Sequence, residues 1–150
     1  MNYPDKIELV LTYKVDPDDT EIFTEKVDAE KVGEYYRILH VPAFARNIAY
    51  GDIVKVEFDE EEYHFDELIE ESGFSVAHIV IWKSECKNRV ISVLNNFGCG
   101  VNTHVAANYL VISIPPQVIY GPIRSFLIAE KLNENIYFSD CLSGVHADNL

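Results

Sequence analysis

From Ile7 onward, apolar side chains fall on every second position: Ile7, Leu9, Leu11, Tyr13 and Val15 alternate with Glu8, Thr12 and Lys14, and Val10 is the exception. A period of two is the signature of a strand with one buried face. Asp16-Pro17-Asp18-Asp19 then carries the residue types that reverse a chain. The same pattern predicts strands over 21–27, 35–40 and 53–58. In the last of these Val54, Val56 and Phe58 face one way and Lys55 and Glu57 the other, after a turn at Gly51-Asp52. Residues 63–71 carry two periods at once. Tyr63 and Phe65 alternate as in a strand, whereas Leu68 and Ile69 suit a short helix. Several short strands with polar turns predict a small curled sheet or barrel.

Beyond Phe74 the period changes. Residues 75–82 read as an apolar strand. Ser84 is placed to cap a helix whose Val90, Ile91, Val93, Leu94 and Phe97 share one face and which Gly98 ends. Residues 101–107 and 109–114 read as two strands about Asn108, closed by Pro115-Pro116. Pro122 suits a first helical residue, followed by Ile123, Phe126 and Leu127 on one face, and 136–138 is a last short strand. The predicted class is therefore α+β: an acidic β-rich subdomain over 1–74, a small curled sheet or barrel, packed on a ferredoxin-like β-α-β-β-α-β sandwich over 75–150.

Charge sharpens this division. Residues 1–74 hold 20 acids and 7 bases, and residues 75–150 hold 5 and 5, so the whole net charge, 7 − 20 = −13, belongs to the first half. Such a one-sided field repels phosphate, which excludes nucleic acid and anionic membrane as partners and favours a basic protein. No run of about eighteen apolar residues is present, and the start MNYPDKIELV has neither a basic flank nor an apolar signal core, so the expected location is the cytoplasm. Three cysteines, Cys86, Cys99 and Cys141, lack CxxC spacing and are expected as reduced, small apolar residues.

Several short segments resemble a known family. Glu25-Lys26-Val27, Tyr36-Arg37-Ile38, Val41-Pro42-Ala43-Phe44-Ala45, Ile48-Ala49-Tyr50-Gly51-Asp52-Ile53-Val54 and Ser72-Gly73 look like the signature of the bacterial domain of unknown function 4265 family. There a strand runs into a Pro-Phe turn, then a Gly-Asp-hydrophobic strand, then a Ser-Gly step. His40 departs from the pattern, where the family tends to have Asn. The resemblance implies one intact bacterial domain and supplies no active site.

Catalytic motifs are absent: there is no Gly-rich phosphate loop, G-x-S-x-G, H-E-x-x-H or C-x-x-C, and His40, His64, His78, His104 and His146 stand singly. No cofactor or metal is expected. His64 and Asp66, at i and i+2, would share a strand face and offer two metal ligands, but a third is lacking and a solvated polar face accounts for them. Asp16, Asp18, Asp19 and Glu21 fail the calcium-loop pattern because Glu21 stands where glycine is required, which leaves a turn with solvated carboxylates.

The densest constellation is 59–71, with eight acids and no Lys or Arg in thirteen residues: Asp59, Glu60, Glu61, Glu62, Asp66, Glu67, Glu70 and Glu71, interleaved with Tyr63, Phe65, Leu68 and Ile69. Adjacent carboxylates repel by about 1 kcal/mol even in water. A hydrated loop that aids solubility is the plain explanation. Aromatics among acids are also what an interface with a basic protein uses: rings, here Tyr63, Phe65, Tyr35 or Tyr36, for residence time and acids for orientation and speed. The expected function is that of a monomeric immunity protein forming a 1:1 complex with a basic toxin, a nuclease of bacterial competition. A regulatory interaction module and a small-ligand binder using a crevice between the halves are the alternatives.

Overall fold

The computed structural model describes residues 3–149. Met1 and Asn2, the start of the segment read for a leader, and Leu150 lie outside the described residues. The chain divides into two compact units, Met1–Ser72 and Gly73–Leu150.

The first unit is a closed barrel of β1 (Lys6–Tyr13), β2 (Phe23–Val32), β3 (Tyr35–Ile38), β4 (Ile53–Asp59) and β5 (Glu62–Glu70), in that order around the wall. Neighbours run antiparallel except at the closure, where β1 and β5 pair in parallel through Leu9 with Tyr63 and Val10 with His64. The predicted alternation of β1 puts Ile7, Leu9 and Leu11 inside. They meet Val27, Ala29, Tyr36, Ile38, Val54 and Val56 in one buried cluster. Burying apolar area of this kind contributes about 25 cal/mol per Å².

Residues 63–70 resolve as strand, and the mixed period has a physical cause. Val56 pairs with Phe65 but Lys55 with Glu67; Val54 pairs with Leu68 but Ile53 with Glu70. Each step leaves one extra residue, Asp66 and then Ile69, on β5. These are bulges, and a bulge shifts the inward face by one position. Tyr63, Phe65 and Leu68 thus all pack against the barrel core at spacings of two and then three, which imitates a helical face without a helix.

In the second unit β6 (Ser75–Ile81), β7 (Gly100–Ala106), β8 (Tyr109–Ile114) and β9 (Ile136–Cys141) form a sheet of order β7-β8-β6-β9, antiparallel throughout. Helix α1 (Lys87–Asn96) joins β6 to β7 and helix α2 (Tyr120–Leu132) joins β8 to β9, and a single turn α3 (Gly144–Ala147) follows. Ala77, Ile79 and Ile81 of β6 and Leu110, Ile112 and Ile114 of β8 line one sheet face. Val90 and Leu94 of α1 and Ile123 and Leu127 of α2 join them in one cluster.

Local details differ from expectation in several places; β2, predicted over 21–27, runs over Phe23–Val32. Ser84 does not cap α1. A 3-10 turn over Ser84–Cys86 comes first, Cys86 holds the cap position, and neither element has a side-chain cap. Backbone bonds settle the entry instead, from Trp82 N to Asn135 O at 2.9 Å and from Cys86 N to Lys83 O at 3.0 Å. Pro122 is the third residue of α2 rather than the first; its missing N–H still falls in the turn whose donors have no helical partner. Strand β9 is longer than predicted. Gly98 does end α1: at φ +99° it donates to Asn95 O at 2.9 Å, while Cys99 N reaches Leu94 O at 3.1 Å, the paired bonds of a Schellman stop.

Helices α1 and α2 are tied by an ion pair. Arg89 donates to both carboxylate oxygens of buried Glu130, and Asn135 Nδ2 adds a bond of 2.7 Å. The Arg89 hydrogen bond holds the Glu130 carboxyl below its ordinary value of 4.5, against the opposing effect of burial. A carboxyl depressed in the fold stabilises above its unfolded pKa and loses that stabilisation as pH falls through the folded value. Glu130→Gln should therefore lower the urea midpoint at pH 7 and soften its decline below about pH 4.5. An acid limb equally steep in both proteins would show that the pair does not contribute.

Candidate functional site

The acidic segment forms the β4–β5 hairpin. Asp59 ends β4, Glu60 and Glu61 make a two-residue turn, and Glu62 opens β5. Both turn residues are left-handed, at φ +49° and +67°. This is the geometry for which Asn-Gly is favoured, and a side chain with a Cβ costs about 1–2 kcal/mol there. Asp59, Glu60, Glu61, Asp66, Glu67, Glu70 and Glu71 are exposed, and Glu62 is half-buried. Two lysines neutralise part of the field: Lys26 Nζ lies 3.1 Å from Glu62 and Lys55 Nζ 3.7 Å from Asp66.

Of the rings expected as anchors, Tyr36 is buried, whereas Tyr35, Tyr63 and Phe65 are half-buried. Tyr63 and Phe65 face the barrel core. Tyr63 also packs edge-on to Tyr3, with centroids 5.5 Å apart, and lies 4.9 Å from Phe58. Tyr36 is fully buried and its hydroxyl donates to Pro4 O. Closure explains the partial burial: in a sealed barrel alternate residues of every strand point inward, so the rings at 63 and 65 pack one side against the interior.

Two other carboxylates have structural tasks that the charge count conceals. Glu25 accepts three backbone N–H bonds, from Ala43 at 3.0 Å, Phe44 at 2.9 Å and Ala45 at 2.6 Å. Asp52 is buried and accepts from Ala49 N and Ser72 N, each at 2.9 Å. Ser72 Oγ in turn donates to Tyr50 O at 2.6 Å. Burial pushes the Asp52 carboxyl up despite these donors. Gly51, at φ +83°, lies so close that an added Cβ would stand 3.0 Å from the Ser72 Cβ. His40 Nε2 meets Asp28 Oδ2 at 3.0 Å. Of the motif residues that carry the family resemblance, Glu25, Asp52 and Ser72 are the ones that hold the backbone at residues 43–45 and 49–50.

The metal and calcium patterns do not assemble. His64 pairs across the ladder with Glu57, Asp66 faces Lys55, and no group of three His, Cys, Asp or Glu side chains among the described residues could hold a metal ion. Asp16 closes its own turn, taking Asp18 N on Oδ1 at 3.0 Å and Asp19 N on its carbonyl at 2.9 Å. Cys86 and Cys99 are buried and Cys141 half-buried, all as free thiols, and burial pushes Cys99 up to about 11.

Sequence reading missed one polar cluster in the second unit. Ser75 Oγ lies 2.5 Å from His146 Nδ1 and accepts from Ser143 N at 2.8 Å; Ser143 Oγ donates to Gly73 O at 2.7 Å, and His146 Nε2 meets Pro115 O at 2.9 Å. Ser and His so arranged suggest a nucleophile and its base. Yet Ser75 is fully buried and already accepts a backbone N–H, and the second imidazole nitrogen is spent on a backbone carbonyl. The cluster pins α3 to the start of β6 and to Pro115, just past the end of β8. Only the Ser143-x-x-His146 spacing across one helical turn hints at it in the sequence.

A family model described as "Domain of unknown function (DUF4265)" matches residues 25–136. No curated protein matches the sequence. A solved structure described as "Novel crystal structure of a hypothetical protein from Neisseria gonorrhoeae" is similar with a TM-score of 0.82 at 23% identity, covering 95% of this chain and 99% of that one. The likeness is one of fold. No helix among the described residues is long and apolar enough to cross a membrane.

Proposed function

The chain belongs to the DUF4265 family, a domain of unknown function, and we propose that it is an acidic immunity protein that binds and neutralises a basic toxin, a nuclease of bacterial competition. One observation carries this reading: the whole −13 charge resides in residues of the barrel unit, 7 − 20 over 1–74, of which 73 and 74 are uncharged. A nuclease must attract a phosphate backbone, so its cleft is positive, and a domain with clustered carboxylates competes for that cleft as an anion. Opposite fields raise association to about 10⁸–10⁹ M⁻¹s⁻¹, fast enough to capture an enzyme before it cuts. The exposed turn Asp59-Glu60-Glu61, with Glu67 and Glu70 on β5 and Glu71 just beyond it, is the leading edge of that field.

The complex is 1:1 and cytoplasmic. We read the second unit, with its β-α-β-β-α-β order and β7-β8-β6-β9 sheet, as a ferredoxin-like scaffold. Co-expression with the product of a toxin gene in the adjacent reading frame should restore growth. The purified pair should bind about tenfold or more weakly at 300 mM than at 50 mM salt. Growth arrest despite expression, or salt-independent binding, would reject the reading.

A further inference from the structure

We propose that the far end of the barrel, where Phe23, Tyr13 and Phe44 stack, is the anchoring site for an arginine-bearing segment of the basic partner. The inference rests on the binding reading above and adds contact area to that of the half-buried Tyr63 and Phe65.

Tyr13 is the middle ring of a three-ring column. Its centroid lies 5.7 Å from Phe23 and 5.2 Å from Phe44, with interplanar angles of 25° and 22°. Tyr13 is rooted on the barrel's buried cluster, and Phe44 remains 41% exposed. The loop between β1 and β2 adds Val15, 74% exposed, and Ile22, 60% exposed. Isolated apolar residues on a surface need no explanation, but three stacked rings close in sequence to two exposed aliphatic side chains gather apolar surface of the kind that partners cover.

The patch is held in place before any partner arrives. Glu25 fixes the backbone of Ala43, Phe44 and Ala45, and Asp16 orders residues 16–19 of the loop that follows β1. A preorganised surface loses less entropy on binding. Its charge names the occupant. Exposed Asp16, Asp18, Asp19 and Glu21 share the loop with a single base, Lys14. A planar guanidinium satisfies both features at once, stacking on a ring face while its edge donates to a carboxylate.

The position also divides the labour. Strands β1 and β5 run parallel, with Leu9 beside Tyr63, so the Glu60-Glu61 turn lies at the end where β1 begins and the column at the end where β1 finishes. The hairpin turn steers, and the column retains.

The test is an amide-resolved NMR titration at low salt with a short arginine-leucine peptide and its citrulline twin. The expected result is shift changes at Tyr13, Val15, Ile22, Phe23 and Phe44, about tenfold weaker binding by Phe44→Ala, and loss of binding for the citrulline peptide. Ile22→Ser, at an exposed site, serves as the second variant should Phe44→Ala reduce folding, which thermal melts would reveal. Shifts centred on 59–62, with both variants binding normally, would overturn the anchor while leaving the acidic-partner reading intact. Equal binding of the citrulline peptide would overturn the arginine assignment. Absence of peptide binding together with salt-independent binding to the toxin would remove both.

Discussion

Replacing Asp59, Glu60 and Glu61 together by lysine should slow association with the basic partner by about 100-fold at low salt, since electrostatic steering accounts for about 10–10³ of such rates. Three carboxylates exchanged for three ammonium groups shift the charge by six, from −13 to −7, at the exposed β4–β5 turn. Glu62 is left untouched because it pairs with Lys26, and its loss would confound a rate effect with a stability effect. A companion, Glu60→Asn with Glu61→Gly, removes two charges and places there the residue types that tolerate positive φ. It should stabilise the hairpin by about 1 kcal/mol or more while still slowing capture. Stopped-flow association at two salt concentrations, with urea unfolding of each variant, separates the outcomes. If the companion gains stability and keeps its association rate, the acidic turn has no steering role.

The choice of Glu60 and Glu61 over Glu62 shows where sequence reading stops. Strand periodicity was legible at Ile7, Leu9 and Leu11 and at Val54 and Val56 because each apolar position alternates with a polar one and both faces meet the environments those types require. Residues 63–69 were not legible, because bulges at Asp66 and Ile69 change the phase, and a bulge depends on the partner strand, which no local window contains. The same holds for the rings. Tyr63 and Phe65 beside carboxylates look like a binding edge until barrel closure assigns one face to the interior. The carboxylates themselves look alike in the sequence, yet Glu60 is exposed on a turn, Asp52 is buried under backbone donors, and Glu25 threads a loop nearly twenty residues away. Charge counting found the field and could not say which charges were free to generate it. Ser75 and His146 lie at opposite ends of the second unit's sequence, and only the fold brings them together.

The largest stability effect is expected at Glu25. Three backbone donors converge on its carboxylate, and Glu25→Ala leaves all three without that acceptor. Hydrogen bonds to a charged group are worth about 1.5–3 kcal/mol each, and partial solvent access at this half-buried site reduces the sum to about 3 kcal/mol for the barrel. Glu25→Gln should lose less, because the amide keeps one acceptor oxygen while its NH₂ opposes the remaining donor. Asp52 offers the contrasting case. Its carboxyl is raised in the fold by burial, so ionising it costs the native state more than the unfolded chain, and its contribution declines as pH rises from the ordinary 3.8 through the folded value. The difference between wild type and Asp52→Asn should therefore narrow from pH 4 to pH 7, opposite in sense to Glu130, whose contribution grows with pH over the acid range. Urea midpoints for the three sites at both pH values would test the assignment. If Glu25→Ala unfolds at the wild-type midpoint, that carboxylate does not secure the loop, and the ring column it positions loses its support.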